Sequence, residues 1–437
     1  MKQLCVISCP IDTYSGYGAR SRDFVKALYE LKKDEYDIKI ISQRWGVTPW
    51  GYVKNNLQEY DWILPLVLQT PQLPRQPDIW IQITVPNEFQ PIGKYNIGIT
   101  AGIETTICDA SWIEGVNRMS VTLVSSQHAK NVFETSKFEK RDQQGNIVSH
   151  VKLEKPVEIL FEGANLNKYF HIPDEELEDS DLVSQLDGIK EEFCFLFVGH
   201  WLQGVLGEDR KNVGLMIKTF LETFKDKKQK PALIMKTSGA GSSIMDRDEM
   251  LKKIDEVKNM VKGDLPNIYL LHGEVDDKDI NNLYNHPKVK AMFNLTKGEG
   301  FGRPLLEFSL SKKPIIVSAW SGHIDFLDQD FYCAIGGELR NVHPSAQVQN
   351  MILAESQWFS PDIGQASFYL KNVYEKYSKY EEQAKRQSHV SRTKFSFEEM
   401  KNLLGLYLDK IPKQVGLQLP QLKKIELPKL KKVEDDK

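Results

Sequence analysis

The chain has 437 residues, more than the roughly 250–300 at which a single hydrophobic core stops growing, so two domains are expected. Its 57 basic and 60 acidic residues leave a formal charge of −3, which excludes a global basic footprint for nucleic acid and leaves only a local patch open. The five scattered cysteines (Cys5, Cys9, Cys108, Cys194, Cys333) include no CxxC pair and argue against a disulfide framework or a zinc site.

The opening MKQLCVISCP reads as a first β-strand, because it lacks the long apolar region and cleavage site of a signal peptide. No apolar run reaches the ~18 residues of a membrane span. A soluble, cytoplasmic protein is expected. Short apolar runs then alternate with helical patterns, the signature of parallel βαβ units. In the first half the strands fall at Leu4–Ser8, Asp37–Ser42, Trp62–Leu68, Asp78–Thr84, Asn96–Ala101, Val121–Ser125 and Val157–Leu160. Helices fill Ala19–Leu31 and Ser111–Met119, and a shorter one starts near Ser126, with Ser125–Ser126 as its cap and His128 exposed. The segment KFEKRDQQGNIVSHVKLEK, residues 137–155, reads as a β-hairpin excursion around Gln-Gly-Asn.

The polar stretch 171–187 reads as the linker between halves. Beyond it, strands are expected at Phe193–Val198, Ala232–Lys236, Ile268–His272, Ala291–Leu295, Ile315–Ser318 and Tyr332–Ile335. Helices are expected at Val213–Phe224, Asp246–Val261, Lys278–Tyr284, Pro304–Ser311, Gln365–Ser378 and Ser396–Asp409. The chain ends in a tandem repeat, LPQLKKIE followed by LPKLKKVE, in which proline every eighth residue forbids a continuous helix. An extended lysine-rich tail is expected, either simply solvated or docking an acidic partner. The resulting layout is an α/β protein with two doubly wound, Rossmann-like sheets. Residues 1–180 form the first domain, 181–390 the second and 391–411 a helix, with the tail at 412–437.

The most informative stretch is TKGEGFGRPLLEFSLSKKPIIV, Thr296 to Val317. A buried strand opens into a glycine-rich loop, Gly298–Gly302, and Pro304 stands where a helix begins. That geometry points unpaired backbone N–H groups at an anion or at sugar hydroxyls. Glu299 and Glu307 flank the helix start, so both can face one ligand. Arg210 and Lys211 follow another glycine-punctuated loop and precede a helix. Cations there oppose the helix dipole, which favours a functional reason for them. In the first half, TYSGYGARSRDF places Gly16 and Gly18 between a strand and a helix, where backbone can approach a ligand closely. The absence of GxGxxG there argues against a dinucleotide oxidoreductase.

These motifs, taken in order, resemble the retaining family-4 glycosyltransferases of GT-B architecture. The landmarks are FVGHWLQGVLGEDRKN, ALIMKTSGAG, IYLLHGEVDDKDINNLY and EGFGRPLLE, the last matching the family's Glu-x7-Glu element. The resemblance spans roughly Met1 to Pro412, and it implies two domains facing a central cleft, with C-terminal helices returning to the first. It implies a nucleotide-sugar donor of UDP or GDP type, with Lys211 and Arg210 on the diphosphate and Glu299 beside the transferred sugar. Glu307 would hold the ribose hydroxyls, and the backbone of Gly300, Phe301 and Gly302 would complete the grip. Gly16 and Gly18 would form the opposite wall, and His200 stands where relatives carry a basic residue. Glu88, Glu104 and Arg20 would lie on the acceptor side.

The chemistry so implied is transfer of a hexose or pentose with retention, by a front-face path that needs no carboxylate nucleophile. Neither metal nor further cofactor is expected, and Asp246 and Asp248 are read as helix-capping residues. Many relatives carry a histidine near the reacting centre, whereas this chain has none before His128. The acceptor class is open between glycan, lipid, protein and DNA. The opening SCPIDTYSGYGARSRDF resembles glycosyltransferases of large tailed phages, which brings a modified DNA base into that set. Two alternatives are a nucleotide-sugar-binding protein without turnover and a GT-B sugar-nucleotide epimerase.

Overall fold

The structure, a computed structural model, describes residues 2–239, 241 and 243–412. The terminal lysine-rich repeat lies outside the described residues. In chain order the first half contains β1 (Gln3–Cys9), α1 (Gly16–Lys32), β2 (Tyr36–Ser42), α2 (Tyr52–Asn55), α3 (Leu57–Tyr60), β3 (Ile79–Ile83), β4 (Tyr95–Thr100), α4 (Ala110–Asn117), β5 (Val121–Val124), α5 (Gln127–Thr135), β6 (Phe138–Arg141), β7 (Ile147–Val151) and β8 (Val157–Ile159). Next come α6 (Asp181–Asp187), β9 (Cys194–Val198), α7 (Val213–Phe224), β10 (Ala232–Lys236), α8 (Ile244–Asn259), β11 (Ile268–Leu271), α9 (Asp277–Asn285), β12 (Val289–Asn294), α10 (Arg303–Ser309), β13 (Ile315–Ser318) and β14 (Cys333–Ile335). The described chain closes with β15 (Gly337–Asn341), β16 (Gln357–Pro361), α11 (Ile363–Glu375), α12 (Tyr377–Lys394) and α13 (Phe397–Leu408).

Two six-stranded parallel sheets carry the architecture, in the orders β2-β1-β3-β4-β5-β8 and β11-β10-β9-β12-β13-β14. Their strands are continuous apolar runs such as LCVIS and CFLFV, buried on both faces as helix-covered parallel sheets require. In each sheet the winding direction reverses once, between β1 and β3 and between β9 and β12. Ligands of open α/β sheets bind outside the carboxyl ends of the strands at such reversals. The topology therefore marks the loops after β1, β3, β9 and β12 before any side chain is considered. Most helices start on a side-chain cap. Ser15 accepts from the Gly18 amide, Ser126 from Ala129, Ser243 from Asp246 and Ser396 from Glu399.

The chain passes between the halves in two places. Leu160 packs in the first core, whereas Ala164 already packs in the second. On the return, α13 lays Phe397, Met400, Leu404 and Leu408 into the first core, beside α1. The two crossings lie side by side: the Ala164 amide donates to the Phe395 carbonyl and the Phe397 amide to the Ala164 carbonyl, both at 2.8 Å.

Several local expectations are corrected. Trp62–Leu68 is not a strand: Asp61–Leu66 forms a 3-10 helix containing Pro65, which lacks the N–H a sheet would need, and only Val67 bridges β2. The stretch 171–187 is not a free linker, since it includes α6, whose Leu182 and Leu186 join the second core. The pair β15–β16 and the helix α12 were not expected. The buried face of α12 is largely polar and so lacks an apolar period: Gln387 donates to the Phe326 carbonyl at 2.7 Å, and Ser391 bonds Ser309 at 2.7 Å. The hairpin excursion is observed, with β6 and β7 antiparallel.

Candidate functional site

The site forms around the loop after β12. Asn294 accepts from the Thr296 amide at 2.9 Å, and the Glu299 amide donates to Ser321 Oγ at 2.8 Å, which fixes the loop at both ends. Gly302 then takes φ 94°, a left-handed conformation that favours glycine, and starts α10 without a side-chain cap. Among the described residues nothing accepts from the amides of Gly300, Phe301 or Gly302. The Phe301 ring itself belongs to the core, packed on Phe326.

The loop after β9 delivers the cations. Asp209 accepts from the Val213 amide at 3.1 Å and Asn212 takes φ 57°, so the chain turns sharply into α7 and leaves Arg210 and Lys211 on the cleft side. Lys211 Nζ donates to Glu299 Oε1 at 2.5 Å, and Arg210 Nη1 donates to Glu299 Oε2 at 3.2 Å and to the Gly298 carbonyl at 2.9 Å. Burial alone would raise the Glu299 carboxyl, but Lys211 and then Arg210 override it and hold it at about 2. For Lys211 burial is the stronger influence and lowers its pKa despite Glu299. Arg210 is raised instead: burial opposes its charge, and Glu104 with Glu299 outweighs that. Burial likewise pushes Asp209 up to about 6.

Glu307 is arranged differently. One oxygen, Oε1, accepts from Arg303 Nε at 2.7 Å, while no described group donates to Oε2. Burial pushes this carboxyl up to about 7, although Arg303 pulls the other way. Arg303 Nη1 also donates to Asp23 Oδ2 on α1 at 2.6 Å, which joins the two halves.

The first half closes against this corner through backbone. A Cβ on Gly298 would lie 2.0 Å from the Glu104 carbonyl oxygen, and one on Gly300 would lie 2.7 Å from that of Ala101. Only glycine allows this approach. Ser125 and Ser126 donate to the Gly300 carbonyl at 3.0 and 2.7 Å, and the Thr106 amide donates to the Gln357 carbonyl on β16 at 2.9 Å.

The candidate residues thus separate into groups. Arg210, Lys211, Glu299, Gly300, Gly302 and Glu104 meet in one place, with Arg210 Nη1 3.6 Å from Glu104 Oε1. His200 stands at the mouth of the same loop, exposed, its Nδ1 3.1 Å from Ser238 Oγ. Gly16 opens α1 with free space around it, whereas Gly18 is needed because a Cβ would strike the Thr13 carbonyl at 2.2 Å. Arg20 does not reach the cleft as an acceptor ligand. It is buried and donates to the carbonyls of Phe161 (2.8 Å) and Leu160, where it ties α1 to the end of β8. Glu88 is exposed beyond the end of β3 and bonds Thr84.

His128 is not fully exposed. Its ring meets Trp320 of the second half edge-on at 4.7 Å, its Nε2 is buried without a partner, and burial lowers it to about 4. Asp246 does more than occupy a helix start. It accepts from the Gly239 amide at 3.1 Å and from His272 Nε2 at 2.6 Å, and the cap itself is Ser243. Among the described residues no group of three or more His, Cys, Asp or Glu side chains is placed to hold a metal ion. No described helix is long and apolar enough to cross a membrane.

Sequence reasoning missed Arg303, Asp23, Lys297 and His323. Lys297 is buried, 3.1 Å from Glu208 and over the Trp358 ring at 5.0 Å. His323 donates from Nε2 to the Ser318 carbonyl at 2.6 Å and packs against Gly302. The usable signal was Arg303 itself, a cation at a helix start, where the dipole disfavours it.

No protein-family profile matches the chain, and no curated protein matches it in sequence. Solved structures do. A glycosyltransferase from Rickettsia africae ESF-5 superposes with a TM-score of 0.59 at 14% identity, covering 94% of this chain and 99% of that one. Anabaena HepE in complex with UDP-glucose gives 0.58 at 12% identity, covering 93% and 99%. The sucrose-phosphate synthase of Thermosynechococcus elongatus gives 0.57 at 11% identity, covering 94% and 99%. Likeness over nearly the whole of each chain, together with the paired parallel sheets and the returning C-terminal helix, establishes the GT-B fold.

Proposed function

We propose that the protein is a retaining glycosyltransferase that moves a sugar from a nucleoside-diphosphate donor, of UDP or GDP type, to an acceptor hydroxyl. One observation carries the reading. Arg210, Lys211 and Glu299 converge at the winding reversal of the second sheet, with Glu104 of the first half beside them. A departing diphosphate develops negative charge, and buried cations fixed in advance stabilise it more than water does. Arg210 and Lys211 fill that role, with the unpaired amides of Gly300–Gly302 beside them. Glu299, held ionised, accepts from hydroxyls of the transferred sugar and keeps the two cations from repelling each other while the site is empty. Glu307 accepts from the ribose through its unpaired Oε2. The protein supplies orientation and charge, and the leaving phosphate takes the acceptor proton in the front-face path.

UDP-bound and UDP-glucose-bound neighbours favour UDP-sugars as the first donors to try. A panel of UDP- and GDP-sugars read by thermal shift should raise the melting temperature for one base, since a ligand that binds only the folded state stabilises it by mass action. Slow release of nucleoside diphosphate from that donor, lost in Lys211→Ala, supports a transferase. Binding without turnover in every acceptor screen would replace it with a non-catalytic nucleotide-sugar-binding protein.

A further inference from the structure

We propose that Arg303 is a positioning residue that presents Glu307 to the nucleotide ribose and, through Asp23, clasps the two halves of the molecule shut. The ribose part rests on the donor reading above; the clasp does not. Arg303 is the first residue of α10, where a cation opposes the helix dipole, so local helix stability gives no reason for it. Its guanidinium instead uses two edges: Nε donates to Glu307 Oε1 at 2.7 Å, one turn along the same helix, and Nη1 donates to Asp23 Oδ2 at 2.6 Å on α1 of the opposite half. A planar fork can hold two carboxylates at once in fixed directions, which a lysine ammonium on its flexible stem does not. Because Arg303 occupies only Oε1, the carboxylate is locked in orientation and Oε2 stays available to a hydroxyl.

The charges around Glu307 make Arg303 decisive. From α9, Asp277 faces it, already engaged by Lys168 at 2.7 Å and by the Tyr169 hydroxyl at 2.9 Å. Asp23 approaches from α1, and the phenols of Tyr169 and Tyr284 lie near. Behind Arg303 stand buried Glu162 and Arg20. Among the described residues Arg303 is the one cation in hydrogen-bond contact with Glu307. Asp23 sits on the helix that Gly16 and Gly18 open, so the clasp also ties that helix to α10.

The test titrates UDP and 2′,3′-dideoxy-UDP into wild type, Arg303→Leu, Arg303→Lys and Asp23→Asn across about pH 6–9, with small-angle scattering on each ligand-free protein. Wild type should prefer UDP over the dideoxy form. Arg303→Leu should lose about tenfold in UDP affinity near neutrality, and with it most of that preference. Both should return as pH rises, because the carboxyl without its cation ionises only at higher pH. Arg303→Lys should recover part of the affinity. Asp23→Asn should keep the hydroxyl preference, move the pH profile downward because one anion near Glu307 is gone, and enlarge the radius of gyration, as Arg303→Leu also should. The polar replacements Arg303→Lys and Asp23→Asn keep the test decisive if Arg303→Leu fails to fold. An unchanged hydroxyl preference and pH profile in the Arg303 variants overturns the positioning role, and scattering identical to wild type in Asp23→Asn overturns the clasp. GDP is titrated into wild type alongside, and if neither UDP nor GDP binds, the donor reading itself falls and takes the ribose role with it, while the scattering arm still decides the clasp.

Discussion

The two ends of the short segment Glu299–Glu307 carry the same side chain in nearly equal burial, 5% and 7% exposed, yet they behave oppositely. Glu299 faces two cations and is held at about 2; Glu307 faces one, with Asp277 and Asp23 near, and stands at about 7. Burial penalises both charges alike, so the count and sign of neighbours decide the outcome. One end is a permanent anion that neutralises Arg210 and Lys211. The other titrates near neutrality. A single corner thus holds a fixed charge and an adjustable one.

The sharpest way to break this contrast is to remove the fixed charge. Glu299→Ala leaves the half-buried Arg210 and Lys211 side by side, and deleting their shared anion costs up to about 3–5 kcal/mol, measurable by urea denaturation. Added UDP should stabilise the variant more than wild type, because its diphosphate replaces the missing anion; equal stabilisation would argue that the diphosphate lies elsewhere. Lys211→Ala keeps the anion and removes a cation, and should cut turnover about 10²–10³-fold, as loss of one preorganised transition-state contact does. A single-turnover assay measures this, and a change confined to KM would count against it.

At the other end, Glu307→Gln removes the adjustable charge. In wild type UDP affinity should rise as pH passes upward through about 7, because an ionised carboxylate accepts more strongly from a hydroxyl than a neutral acid. In the glutamine variant the profile should be flat and the affinity about tenfold weaker at alkaline pH, read by titration calorimetry. The smallest effect concerns acid stability. The folded pKa of Glu299 is depressed, so its contribution is present above the ordinary carboxylate range and is lost as pH falls from about 4.5 towards about 2. Glu299→Ala should therefore flatten the acid limb of the stability curve, an outcome to be checked by thermal unfolding between those limits.

Legibility in the sequence followed the nature of the contact. The second sheet could be read because its strands are uninterrupted apolar runs and its helices carry apolar faces; Ala232–Lys236, Val213–Phe224 and Ile315–Ser318 fall where expected. Trp62–Leu68 misled because its apolar content outweighed the signal of Pro65, and α12 stayed hidden because Gln387, Ser388 and Ser391 bury polar atoms in hydrogen bonds rather than apolar surface. At the site, Glu299 and Glu307 stood out through their glycine-rich surroundings. What could not be read was pairing across the cleft. Arg20 lies in the second turn of α1 and Arg303 opens α10, and only the three-dimensional fold shows that one turns to the Phe161 carbonyl while the other reaches Asp23.

The side-by-side crossings at Ala164 and Phe395–Phe397 have a mechanical meaning. The two segments that pass between the halves do so at one place and are stitched to each other by two backbone hydrogen bonds. Any change in the angle between the halves has to be absorbed by the backbone of these two segments, which lie outside both six-stranded sheets.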